Sequence, residues 1–184
     1  EDAPELVSVE LPLLGVAGSL VVRALPALES LTLGLEVVFG GIVLENLAEL
    51  SALDLLDLRQ AAGLYVYDSA ALRSVTAPML ATLQPHAMFG GGADGWLSVQ
   101  SCSTLESVRF PALARVGSVF MDTLPVLGEL ELDALTSVET DLSLLRLGEI
   151  DTVFLPRLER VEGDITVQSN PALEVLSMPA LTES

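Results

Sequence analysis

Residues 155–173 read Leu-Pro-Arg-Leu-Glu-Arg-Val-Glu-Gly-Asp-Ile-Thr-Val-Gln-Ser-Asn-Pro-Ala-Leu. The stretch joins two motifs that run through the whole chain. One is P-x-L-x-x-L-x-L-P-x-L, whose first Leu-type position falls at Leu6, Leu28, Leu50, Leu72, Leu105, Leu127, Ile150 and Leu173. Its spacings are 22, 22, 22, 33, 22, 23 and 23 residues. The other is G-x-L-x-V, with its apolar pair starting at Leu20, Ile42, Leu64, Leu97, Val119, Leu142 and Ile165. Two independent motifs therefore share one period and one interruption, the sequence signature of a repeat architecture.

Prolines agree with the period. Pro4, Pro26, Pro125 and Pro171 stand two residues before the first motif's Leu; Pro12, Pro78, Pro111, Pro156 and Pro179 stand six after it. Proline lacks a donor and fixes φ, so these phases mark corners rather than paired strand centres. The second motif alternates strictly, as in Leu20/Val22, Leu64/Val66 and Ile165/Val167. Period two puts one face inward and one outward. A period of 22 to 23 residues is too short for helix-pair repeats. The expected fold is all-β: a single-domain parallel β-solenoid over 1–184, of about eight coils with two short strands each. The crossover rule makes it right-handed.

Composition sets bounds. The chain has 184 residues, a net charge of −18, eight Arg and no Lys. Phosphate neutralisation needs a basic footprint, so nucleic acid is an unfit partner. Anionic membrane surfaces are disfavoured for the same reason. No apolar run reaches the length of a membrane span. The single Cys, Cys102, excludes an intrachain disulfide framework.

The stretch 155–173 resembles the repeat of receptor L-domain-like leucine-rich proteins of bacterial and fungal cell surfaces. Residues 102–127, with Gly117 and Phe120, are also similar to treponemal-type leucine-rich repeats. The resemblance covers nearly all of the chain outside residues 81–96. It implies an extracellular or surface-anchored binding role without catalysis. The chain departs from that pattern in having only Asn46 and Asn170, so a regular asparagine ladder is absent.

The 33-residue spacing marks an insertion of about eleven residues within 81–96. Insertions in solenoids map to loops and are often binding elements. This one holds the sole His and sole Trp, and its binding candidates are His86, Met88, Phe89, Asp94 and Trp96. The bland alternative has its apolar residues packed on the solenoid flank. The outward row of the second motif reads Val21, Val43, Tyr65, Ser98, Phe120, Ser143 and Thr166, and its candidates for a second binding surface are Val21, Val43, Tyr65 and Phe120. An apolar stripe there would mark an interface. The outward row of the first motif, from Glu10 through Thr32, Asp54, Thr76 and Arg109 to Glu131, is mixed and polar.

Catalysis finds little to stand on. Cys102 and His86 form the one conceivable nucleophile–base pair, and no third group orients them. Cys/His clusters for zinc and the usual calcium-loop patterns are lacking, so no cofactor or metal is expected. The chain starts at Glu1 and opens and closes in the first motif without polar caps. Either more sequence flanks it, or its ends stack head to tail into a filament, as heterologous contacts do. The assembly candidates are Leu6, Val9 and Leu11 at one end and Leu173, Leu176 and Met178 at the other. Two functions follow as expectations. One is an extracellular structural or adhesive scaffold that polymerises with itself. The other is a monomeric surface module that binds a protein or glycan through the 81–96 loop.

Overall fold

The computed structural model describes residues 3, 5–84 and 95–183. Within them the chain is all-β, without a helix, and winds into a parallel β-solenoid of about seven turns. Eight first-motif strands run from Ser8–Leu11 to Val175–Ser177, and seven second-motif strands run from Leu20–Arg23 to Ile165–Gln168. The eighth first-motif strand thus begins a further coil.

Each coil also carries a third strand segment that the sequence reading does not anticipate. It appears as Val16–Ala17, Thr82–Leu83, Arg115–Val116, Ser137–Val138 and Arg160–Val161. In two coils it merges with the second-motif strand to give the long strands Val37–Glu45 and Gln60–Tyr67. Two residues are too few for alternation to register, which is why the segment is silent in the sequence.

Pairing is parallel throughout; the register is constant along the second-motif strands and shifts between Val38 and Gly41, ahead of them in the second coil. Leu20, Ile42, Leu64, Leu97, Val119, Leu142 and Ile165 are successive partners up the stack. On the first-motif side, Leu53, Val75, Val108 and Leu130 form the same kind of ladder. That side is divided into sheets of two, four and two strands. The inward rows are almost wholly aliphatic and buried, with Phe110 the one aromatic among the fully buried side chains of the described residues.

Three corners close each coil. After the second-motif strand, Ala24, Asn46, Asp68, Ser101, Thr123, Arg146 and Ser169 all take left-handed backbone, with φ between 50° and 59°. Such a conformation costs an L-residue about 1–2 kcal/mol. It persists because neighbouring coils hold it: Ala24 N–H donates to the Glu45 carbonyl at 3.0 Å and Ser101 N–H to that of Asp122 at 3.0 Å. The residue after each is turned inward. This row reads Leu25, Leu47, Ser69, Cys102, Leu124, Leu147 and Asn170.

The corner before the second-motif strand is lined by small residues: Gly18, Gly40, Ala62, Gly95, Gly117, Thr140 and Gly163. Here the coils approach closely. Gly117 N–H donates to Gly95 O at 2.8 Å, and Thr140 N–H to Gly117 O at 2.7 Å. A Cβ on Gly95, whose φ is 72°, would lie 2.7 Å from the Leu83 carbonyl oxygen. Glycine is thus required there by both conformation and space.

Arginines clasp coil to coil. Arg23 meets Glu45 at 2.9 Å, Arg73 meets Glu106 at 2.7 Å, and Arg146 pairs with Asp122. Arg109 reaches Glu129 at 2.9 Å and holds that carboxyl below the usual carboxylate range. These pairs are largely exposed and add little to stability.

Leu64→Ala, in the middle of the stack, is expected to lower unfolding free energy by about 2–5 kcal/mol in urea titrations. Thr32→Ala, on the outward row of the first motif, is expected to stay within about 0.5 kcal/mol of the parent. Equal costs for the two would contradict the inward–outward assignment.

Candidate functional site

The expected outward row is assembled as a row. Val21, Val43, Tyr65, Ser98, Phe120, Ser143 and Thr166 are consecutive partners across seven strands. Its exposure departs from expectation, however. Val21 is 55% exposed, Val43, Tyr65 and Phe120 are half-buried, and Ser98 is fully buried. Ser98 is small and stands in register between Tyr65 and Phe120, and the Gln100 amide donates to its Oγ at 2.9 Å.

The flanking rows complete the face. The row two residues earlier holds Trp96, Ser118, Asp141 and Asp164; the row two residues later holds Arg23, Glu45, Tyr67, Gln100 and Asp122. The chain has five Phe, two Tyr and one Trp. Of the seven among the described residues, four, Tyr65, Tyr67, Trp96 and Phe120, lie on this one face within three adjacent coils. Local sequence explains their seating. A Cβ at Gly63 would come within 2.7 Å of the Tyr65 ring, so the ring lies over a residue that has no side chain. Tyr65 and Tyr67 have ring centroids 6.2 Å apart and tilted at 44°.

Two hollows open on the face. One, of about 310 Å³, is lined by Trp96, Gln100, Phe120, Asp141 and Ser143 with Ser118 and Val119 at its base. The other, of about 420 Å³, lies between Val21, Arg23, Val43, Tyr65 and Tyr67. In the first, Asp141 Oδ1 accepts the Asp164 N–H at 2.9 Å, which orients the carboxylate. Ser118 Oγ is engaged with Thr140 Oγ1. Tyr67, Gln100, Ser118 and Asp141 are the residues that sequence reading missed. They belong to the rows on either side of the one it singled out, at the same repeat phases.

The insertion is anchored beside this hollow. Leu83 is in register with Ala61, and Leu97 with Leu64. The extra residues therefore fall between Leu83 and Leu97. Gln84 N–H donates to Ala61 O at 3.1 Å and Gly95 N–H to Ala62 O at 2.9 Å, so the loop leaves and returns over two adjacent residues. Trp96 follows directly, at the head of the strand Trp96–Gln100. His86, Met88, Phe89 and Asp94 lie outside the described residues.

Cys102 has a structural role. It is buried in the inward corner row, and its Sγ–H donates to the Gln100 carbonyl at 3.4 Å. Ser69, one coil earlier, does the same to Tyr67 O at 3.1 Å. Asn170 serves the row's last coil, donating to Leu144 O at 3.0 Å and accepting the Leu147 N–H at 2.8 Å. Burial pushes the Cys102 thiol up to about 11; the Ser69 backbone hydrogen bond opposes this and the Asp68 charge adds to it. A buried neutral thiol is a poor nucleophile.

The end coils are apolar and open. Leu6, Leu11 and Leu176 are exposed, while Val9, Leu173 and Met178 are half-buried. Leu13, at 96% exposure, and Val16 extend the first of these surfaces, and Val175 the second. Among the described residues, no three His, Cys, Asp or Glu side chains group as metal ligands. No helix is long and apolar enough to cross a membrane.

In native protein at pH 8, roughly one Cys102 thiol in a thousand is ionised if its pKa is about 11. A chromogenic disulfide reagent is therefore expected to label it only as the protein unfolds in urea. Rapid stoichiometric labelling of the folded chain would contradict the buried assignment.

Comparison with protein-family models, curated proteins and solved structures gives no match in any of the three.

Proposed function

We propose that the chain is a non-enzymatic adhesive scaffold of the extracellular or cell-surface kind. On this reading it is related in type to the receptor L-domain-like leucine-rich solenoids it resembles. It holds its partner, a surface protein or glycan, on the outer face of the second-motif ladder. One observation carries this reading: four of the seven aromatic side chains among the described residues sit on that face, across three coils, with amide, hydroxyl and carboxylate groups between them. Aromatic rings beside convergent polar groups are the usual make-up of recognition surfaces. A parallel sheet fixes their spacing, so little order has to be imposed on binding.

The purified chain is expected to adhere saturably to cell-envelope or extracellular-matrix preparations. The double variant Tyr65→Ser/Phe120→Ser is expected to lose about tenfold or more of that affinity while keeping its far-ultraviolet spectrum. Adherence by the folded variant equal to the parent's would refute the assignment of the face.

A second reading, self-stacking, is favoured by the apolar end coils. Strand Ser8–Leu11 is paired on one side only, by Ser30–Leu33, and Val175–Ser177 by Thr152–Phe154. Parallel edges of this kind accept another coil in the same sense, and such contacts do not close. On this reading the 184-residue chain elongates with concentration in sedimentation experiments, and Leu13→Glu with Leu176→Glu abolishes the effect. A concentration-independent monomer removes the reading.

A further inference from the structure

We propose that the hollow between Trp96 and Phe120 is a subsite for an uncharged pyranose unit of a glycan. This rests on the outer face being the binding surface and specifies what that face takes.

The lining matches the two-sided chemistry of a sugar ring. A pyranose has a face of C–H groups and a rim of hydroxyls. Trp96 and Phe120, half-buried and one coil apart, offer aromatic surface on which the C–H face loses its water. Gln100, Asp141 and Ser143 stand around the same hollow and supply an amide, a carboxylate and a hydroxyl for the rim. The amide is positioned by its bond to Ser98 Oγ, and the carboxylate by the Asp164 N–H. The groups that meet the hydroxyls are thus oriented before binding. At about 310 Å³ and open to solvent, the hollow admits one ring while the chain continues on either side along the sheet.

Charge selects among glycans. The lining contains Asp141 and no Arg, and the whole chain carries −18, so a uronic, sialic or sulfated sugar would be repelled. A cationic ligand is drawn to so acidic a chain everywhere, which gives attraction without selection. In this hollow it would meet a single carboxylate, one of whose oxygens already accepts a backbone N–H.

Trp96 is the chain's sole tryptophan, so its emission reports on this hollow alone. The full chain is titrated with soluble oligosaccharides of β-linked glucose, α-linked glucose, N-acetylglucosamine and mannose. Oligogalacturonate serves as the anionic probe and oligo-arginine as the cationic one. At least one neutral oligosaccharide is expected to shift Trp96 emission saturably, with a midpoint that changes less than about twofold between roughly 0.05 and 0.5 M salt. Phe120→Ala and Gln100→Ala are each expected to raise that midpoint about tenfold with thermal unfolding unchanged, and Phe120→Tyr to restore it.

The inference is overturned if no neutral oligosaccharide shifts the emission. It is equally overturned if only a charged probe does, with salt abolishing the effect, or if folded Phe120→Ala binds like the parent. Its failure is separable from that of the broader function. Envelope adherence that survives periodate, is lost on protease treatment and still requires Tyr65 and Phe120 would leave the binding face standing with a protein partner, and remove the sugar.

Discussion

Backbone hydrogen bonds between successive coils, kept in constant register along the second-motif strands, are the interaction on which everything else rests. They run unbroken along the second-motif strands, with two interruptions along the first-motif side, and continue through two of the corners, at Gly95–Gly117–Thr140 and at the left-handed residues beginning with Ala24. Because the second-motif strands repeat one register, each of their side chains has its repeat equivalents as neighbours above and below. Leu64 meets Ile42 and Leu97; Ser98 meets Tyr65 and Phe120. The aliphatic interior and the aromatic face are two sides of one ladder. A slip of a single residue would exchange them, which is why register is strongly specified wherever one face is buried.

Stability in such a stack is close to a sum over coils and their interfaces. The middle coils, with inward rows wholly buried, form the firm section, while the first and last turn part of their Leu and Val to solvent. The hollow lined by Trp96, Phe120 and Asp141 is built from three of the middle coils. Its geometry is therefore set by the least frayed part of the molecule, and polar groups there are held by neighbours rather than by loops.

The period, the inward rows and the composition of the outward row were legible in the sequence because each depends on residue identity at fixed spacing. The short third strand was not, since Arg115–Val116 or Thr82–Leu83 offer no alternation to read. Nor were the seven left-handed residues: Ala, Asn, Asp, Ser, Thr and Arg share no side-chain property, and the conformation is imposed by the coils on either side. Cys102 suggested chemistry on its own. Only alignment with Ser69 and Leu124 in the corner row explains it as a carbonyl-satisfying core residue. The breadth of the face was missed for a related reason. Its hollow draws on three parallel rows, and a single row read along the repeat does not reveal which neighbours converge.

The way the insertion is rooted has an evolutionary consequence. Its two feet rest on neighbouring residues, Ala61 and Ala62, so the ladder on either side closes as though nothing had been added. Lengthening a tethered segment costs only a slowly growing closure entropy. This corner can thus gain, lose or exchange material without disturbing the winding, and new specificity could be trialled there while the neighbouring sheet stays constant.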